Sequence, residues 1–243
     1  MSVRPVCDRG YVLHSRPYRE SSALVDLFSH DHGRIAAVAR GVRGAGKRVR
    51  TVQPFVALAL TWDGGGELRN LRAWESERAL WLTGDALATG LYLNELLIRL
   101  LPREDPHQVL FGAYHQLLPQ LLEGGFEPGL RRFERLLLDE LGYGTTFSHA
   151  GDDGAPVIPT RQYRLVDLAF IASDAGQYAG AELLAIDADD YSLLATRRAA
   201  KRIFRALLAA QLGPKPLLSR QMFSRQMFSP RRPPAAGESV RDE

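Results

Sequence analysis

Residues 10–40 read GYVLHSRPYRESSALVDLFSHDHGRIAAVAR. Three short apolar or alternating runs stand out, GYVLHSR (10–16), SALVDLFS (22–29) and RIAAVAR (34–40), each bounded by turn-forming residues. Runs of this length and spacing predict strands. HDHG (30–33) supplies a tight turn between the second and third. Two further runs follow, FVALALTW (55–62) and ELRNLRAW (67–74), separated by DGGG (63–66), where glycines provide the positive φ of a hairpin. Five short antiparallel strands at this spacing predict a small barrel of the OB type. An open five-stranded sheet would give the same pattern.

Beyond residue 80 the period changes to that of helices. Leu93, Leu96, Leu97, Leu100 and Leu101 follow three-and-four spacing, and Pro102 stops the run. Asp105 and Pro106 predict the start of a second helix carrying Leu110, Ala113, Tyr114, Leu117 and Leu118, ended or kinked at Pro119. A third opens at Pro128, aligns Leu130, Phe133, Leu137 and Leu141, and closes at Gly142. Residues 144–160 are loop-like, and QYRLVDLAFIAS (162–173) reads as a strand pair or an apolar extension. On a last long helix Ala200, Ile203, Phe204, Leu207 and Leu208 share one face, while Arg198, Lys201, Arg202 and Arg205 fall on the other. The expected class is α+β: an N-terminal OB-type barrel over 1–80, then a mostly helical domain over 81–213 with an insertion near 144–176. A basic, proline-rich tail over 214–243 follows, in which SRQMF occurs twice (219–223 and 224–228).

The net charge of +3 hides its distribution. Residues 1–60 hold 10 basic and 4 acidic side chains, and residues 197–234 hold 10 basic and none acidic. Between them, 61–196 hold 10 basic against 21 acidic. Basic ends around an acidic middle point to a polyanionic partner, and nucleic acid fits best. No apolar run of membrane-spanning length occurs, the amino-terminal residues lack a signal-peptide pattern, and the single Cys7 can form neither an internal disulfide nor a thiolate cage. The expected location is therefore the cytoplasm, with nucleoid association if the polyanion is DNA.

Residues 39–50, ARGVRGAGKRVR, approach a phosphate-binding loop, since Gly41, Gly46 and Lys47 fit G-x-x-x-x-G-K. Arg48 stands where a magnesium-binding hydroxyl belongs, and a strand rather than a helix is expected next. A nucleotide-hydrolysing enzyme is the alternative this loop raises. The better reading is a cationic inter-strand loop, in which Arg40, Arg43, Lys47, Arg48 and Arg50 join Arg34 as DNA contacts. Arg198, Lys201, Arg202 and Arg205 form a second DNA-binding set. His30 and His32 flank Asp31 without a metal-ligand spacing and read as turn residues, and no G-x-S-x-G or comparable nucleophile motif occurs. The residues therefore indicate a binding protein with no catalytic centre, metal or cofactor; a protein adaptor without direct DNA contact is a further alternative.

The segment YVLHSRPYRESSALVDLFSHDHGRIAAVARGVR (11–43) resembles the amino-terminal region of RecO, the bacterial recombination mediator family. GLYLNELLIRLL (90–101), LRRFERLLLDELGYG (130–144), TRRAAKRIFRALL (196–208) and KPLLSRQMF (215–223) extend the resemblance in the same order. It implies an OB-like barrel beside a helical domain. It also implies binding of single- and double-stranded DNA, annealing of complementary strands, and contact with the acidic, phenylalanine-ending tail of single-strand-binding protein. RecR, and in some systems RecF, would act with it to help RecA onto DNA. Some members carry a four-cysteine zinc site after the LGYG element, but TTFSHAGDDGAPV (145–157) offers no cysteine. The resemblance favours Arg131 as partner for the tail carboxylate, with Leu130, Arg132, Phe133 and Leu137 beside it. Pairing of Arg131 or Arg132 with Glu127 or Glu134 on their own helix is the competing expectation.

Overall fold

The structure is a computed structural model and describes residues 4–42, 52–151 and 153–220. The chain opens with five strands: β1 (Val6–Tyr18), β2 (Ser22–Ser29), β3 (Gly33–Arg40), β4 (Val56–Asp63) and β5 (Leu68–Ala79). They close into a barrel in the order β1-β2-β3-β5-β4, so the open sheet is excluded. The expectation of an all-antiparallel set needs one correction, because β3 and β5 pair in parallel, from Ala36 opposite Leu68 to Ala39 opposite Leu71. Strand β4 pairs with β1 on one side and β5 on the other, so the strand that follows β3 in sequence is not its neighbour and β5 returns to lie beside it.

Strand β1 explains why its run is apolar rather than alternating. Val12 points inward with Leu27, Ile35, Leu58, Leu60 and Trp62, while Tyr11 and Leu13 point outward into a second core shared with the helices. A bulge at Leu13, where Val12 opposes Leu27 and His14 opposes Asp26, takes the Leu13 carbonyl out of regular pairing. Asn94 Nδ2 donates to that carbonyl at 2.9 Å, and Tyr114 Oη donates to Asn94 Oδ1 at 2.6 Å. The Leu13 carbonyl thus has a buried partner.

The helical part comprises α1 (Gly84–Leu100), α2 (Gln108–Glu123), α3 (Glu127–Glu140), α4 (Gly180–Asp187) and α5 (Leu194–Leu212) among the described residues. Helix α3 packs on α2 and α5. Helix α2 starts later than Asp105 and Pro106 suggest, with His107 as its cap, because the Asp105 backbone is packed against Gly33. Pro119 does not end α2; burial of Leu117, Leu118 and Leu121 holds the last turn despite the lost hydrogen bond. Residues 162–173 form a hairpin of β6 (Gln162–Val166) and β7 (Ala169–Ala172), to which β8 (Tyr178–Ala179) adds a third strand. Its turn residues, Asp167 and Leu168, both have positive φ. Phe147 and Phe170 tie this sheet region to Phe204 on α5, with ring centroids 5.4 Å and 5.9 Å from that of Phe147.

Barrel and helices meet at a seam that includes Arg34, whose Nε donates to the Leu101 carbonyl at 3.1 Å, and Glu104, whose amide donates to the Arg34 carbonyl at 3.0 Å. Gly33 has φ +65°, and a Cβ there would lie 1.8 Å from the Asp105 carbonyl oxygen, a backbone atom. Gly33→Ala is therefore expected to lower unfolding free energy by at least about 2 kcal/mol, read as a fall in urea midpoint at unchanged slope.

Candidate nucleic-acid and partner interface

Helix α3 turns its apolar stripe inward. Phe133 and Leu137 are 2% and 0% exposed and belong to the core, so neither offers a surface to a partner. Arg131 and Arg132 are adjacent in sequence but diverge in direction, as the helical period requires. Arg132 is exposed, donates from Nη2 to the Asp189 carbonyl at 3.1 Å, and lies 5.6 Å from the Tyr191 ring centroid. Arg131 turns to the other side and is buried.

A cleft of about 600 Å³ opens beside Arg131. Leu130 and Phe126 give it apolar surface, and α1 contributes Asp85, Thr89 and Tyr92. Lys201 and Arg205 enter from α5, and Arg220 from the chain that follows it. Two residue sets that the sequence assigned to different ligands thus meet at one cleft: Leu130 and Arg131 from the partner set, Lys201 and Arg205 from the DNA set. Arg198 and Arg202 are exposed on α5 but do not line the cleft. Arg202 instead donates to the Gln177 carbonyl at 3.3 Å and lies over Tyr178.

The cleft is underpinned by a buried polar trio. Arg131 Nη1 lies 2.7 Å from Glu134 Oε2, and Tyr92 Oη donates to Glu134 Oε1 at 2.6 Å. The own-helix pairing of Arg131 with Glu134 is therefore real, yet Arg131 still lines the cleft, and its buried Nε has no hydrogen-bond partner among the described residues. Burial raises the Glu134 carboxyl above its ordinary value, against the opposing pull of Arg131 and the Tyr92 hydrogen bond. Burial, followed by the Glu134 charge, raises the Tyr92 phenol well above its ordinary value, which keeps its hydroxyl protonated and donating.

The residues after Gly213 do not hang free at their start. Arg99 donates to the carbonyls of Leu212, Lys215 and Pro216 at 2.7, 2.8 and 3.3 Å. Glu95 accepts from the amides of Leu218 and Ser219, both at 2.8 Å, and from Ser219 Oγ at 2.7 Å. Leu217 is buried. This strap brings Arg220 to 5.8 Å from the Tyr92 ring centroid. Partial burial pushes the Glu95 carboxyl up, but the Ser219 and Leu218 hydrogen bonds and Arg99 outweigh it, and the net shift is downward.

The barrel set is more divided. Arg34 is spent on the seam, with its side chain 13% exposed and Asp26 3.6 Å from Nη1, and burial lowers its guanidinium from the usual value. It is therefore corrected from a DNA contact to a structural residue. Arg40 is exposed at the end of β3. Arg43, Lys47, Arg48 and Arg50 lie outside the described residues. The described chain resumes at Val52 and enters strand β4, where a phosphate-binding loop would open a helix. Tyr11 and Trp62 are core residues, and neither presents a ring face to an unpaired base.

Residues 1–79 match the family described as recombination protein O N terminal, and residues 82–221 match recombination protein O C terminal. The chain belongs to the RecO family. It is 48% identical over 227 residues to the DNA repair protein RecO of Stutzerimonas stutzeri, covering 91% of this chain and 94% of that protein. The RecO protein of Pseudomonas aeruginosa strain LESB58 is 46% identical over 227 residues, covering 91% and 96%. That of Pseudomonas putida strain F1 is 46% identical over 229 residues, covering 92% and 99%. The N-terminal RecO match ends at the last residue of β5, and every residue lining the cleft falls inside the C-terminal match.

Tyr92, Glu134 and Arg220 were missed as cleft residues when the sequence was read. Tyr92 and Glu134 carry no local signal, since their roles depend on helices meeting in space; Arg220 lies in the KPLLSRQMF element, which marks a resemblance but no position. Glu134→Leu alone leaves Arg131 as an unpaired buried charge and is expected to cost about 3–5 kcal/mol by urea denaturation, whereas the combined Tyr92→Phe, Arg131→Met and Glu134→Leu variant should return close to the parent stability. For Glu95 the lowered carboxyl stabilises the fold above its ordinary value of 4.5. That contribution disappears as pH falls through the lowered folded value. Glu95→Gln should accordingly cost about 1 kcal/mol at neutral pH, a hydrogen-bond value discounted for partial exposure, and the gap to the parent should close in acid melts.

Proposed function

We propose that this chain is a non-enzymatic DNA-binding recombination mediator, acting in DNA repair by annealing complementary single strands and by engaging the acidic tail of single-strand-binding protein. The observation that carries the proposal is the meeting of Arg131, Lys201, Arg205 and Arg220 at a cleft with apolar walls from Leu130 and Phe126. A peptide that ends in a phenylalanine carboxylate after several acidic residues needs this combination: an apolar seat for the ring, a guanidinium for the terminal carboxylate, and further cations for the preceding acids. Glu134 holds the Arg131 side chain in place at the cleft, so little conformational freedom is lost on binding.

DNA is assigned to the exposed cations of α5, Arg198, Lys201, Arg202 and Arg205, together with Arg40 and the basic loop that follows it. Opposing phosphate repulsion between two strands needs only fixed positive charge, and base pairing then supplies sequence specificity without an energy source. RecR as partner, RecA loading as outcome and a nucleoid location rest on the family resemblance. The RecO relatives are named as DNA repair proteins, and this supports the DNA-repair part of the reading.

The decisive experiment is annealing of complementary oligonucleotides precoated with single-strand-binding protein, with that protein intact or lacking its terminal phenylalanine. Annealing should fall when the phenylalanine is removed, and naked strands should still anneal. The combined Tyr92→Phe, Arg131→Met, Glu134→Leu variant should bind a fluorescent tail peptide at least about 30-fold more weakly, the loss expected for one desolvated charged contact. With about five phosphates neutralised on a single strand, log K should fall against log salt with a slope of roughly −3.5. Salt-insensitive binding, or ATP turnover abolished by Lys47→Ala, would overturn the proposal.

A further inference from the structure

The turn between β2 and β3 places four ligand-type side chains together. His30 Nδ1 lies 2.6 Å from Asp31 Oδ1, and His32 Nδ1 lies 3.1 Å from Asp8 Oδ2. Asp8 comes from β1 and reaches the turn by accepting the Asp31 amide at 2.9 Å. Its side chain is only 2% exposed, and its other oxygen accepts the Arg9 amide at 2.7 Å. Ligand atoms of Asp8, His30 and Asp31 all lie within 4.8 Å of one another.

The electrostatics of this group are unusual. Two carboxylates, one of them almost fully shielded from solvent, are paired with imidazoles and with no lysine or arginine among the described residues. The Arg9 and Asp31 amides satisfy Asp8 as a hydrogen-bond acceptor, but no permanent cation among the described residues lies against this shielded carboxylate, and shielding one without a counter-charge is costly. The surroundings hold the ligands in place: His30 stands edge-on to Phe111, His32 edge-on to Trp62, and Gln108 Nε2 donates to Asp31 Oδ1 at 2.9 Å.

We propose that Asp8, His30 and Asp31 bind a first-row divalent cation, of which zinc is the type, through Asp8 Oδ2, His30 Nδ1 and Asp31 Oδ1. Imidazole with carboxylates, and no thiolate, is a donor set for such an ion, whereas magnesium prefers oxygen ligands alone. Small side-chain rotations bring the three atoms to the usual metal–ligand distances of about 2.0–2.2 Å. On binding, the Nδ1 proton leaves to solvent and Nε2 holds one proton, so that the ligand is a neutral imidazole, and the ion takes the place of the Asp31 hydrogen bond. His32, whose Nδ1 contacts the same Asp8 Oδ2, and the Arg9 amide on Oδ1 orient that carboxylate. The ion would tie β1 to the β2–β3 turn beside α2, and so stiffen the seam between barrel and helices. The histidine pair alone does not betray the site, because Asp8 is supplied from a distant part of the chain.

The test uses the full, untagged chain stripped with a chelator and then dialysed free of it. Zinc at saturating concentration should raise Tm by about 5 to 10 °C with one ion bound per chain, and magnesium should leave Tm unchanged. Cobalt should give visible d–d absorption with the same stoichiometry. Asp31→Asn, at an exposed turn position that leaves the fold intact, should abolish the zinc shift and the cobalt bands; Asp8→Asn should do the same with some loss of basal stability. Absence of any zinc response, an equal response in Asp31→Asn, or an equal response to magnesium each overturns the proposal.

Discussion

Burial of β1 on both faces is the constraint on which the molecule depends. Val12 fills the barrel while Tyr11 and Leu13, one residue to either side, pack among the helices. A strand so placed cannot be separated from the helical part without exposing large apolar side chains to water, at about 1.5–3 kcal/mol for each. The two sequence halves therefore share one continuous core across the seam rather than touching through a wet interface. Gly10 fits the same scheme, since a Cβ there would lie 2.7 Å from the Phe28 carbonyl oxygen. Close approach of the barrel's own strands is what leaves its outer surface free to receive α1 and α2.

Once the helices are fixed to the barrel, their polar faces follow. Helix α5 buries Ala200, Ile203, Phe204, Leu207 and Leu208, so its cations have nowhere to go but outward. Two of them overhang the cleft because α3 packs against α5 and α1 brings Tyr92 to Glu134. The buried Arg131–Glu134 pair contributes little net stability, because desolvation of two charges offsets most of their attraction. Its effect is geometric: a guanidinium that would sample many rotamers on a bare helix is held in one place beside the cleft. The strap through Glu95 and Arg99 brings Arg220 to the same cleft. The proposed anion site rests on this gathering of cations.

How much of this was legible can be followed residue by residue. The strand runs at 22–29 and 34–40, the glycine turn at 63–66 and the apolar stripes of three long helices carry local periodicity, and the structure follows them closely. The parallel β3–β5 pair, the late start of α2 and the short α4 carry no comparable signal. Each arises from what the segment meets: β5 must close the barrel, Asp105 is held against Gly33, and α4 lies beneath a sheet formed by residues from both sides of a hairpin. At the candidate site Leu130, Arg131, Lys201 and Arg205 were visible as residue types on faces. Their assignment to two separate ligands could not be corrected without knowing that α3 and α5 are neighbours. Arg34 shows the opposite failure, since a basic residue at a strand start looks like a phosphate contact until Leu101 and Asp26 are seen around it.

By itself, then, the order of residues settled the kinds of element and the charge on each helical face, because periodicity and composition act over a few neighbouring positions; the family was legible from the ordered resemblance of five segments. Which carboxylates neutralise which arginines, which cations remain available to an anion, and that Asp8 joins His30 and Asp31 were decided only in three dimensions. The reason is physical: charge and desolvation energies depend on distances between groups that lie tens of positions apart in the chain, and only the packed core sets those distances.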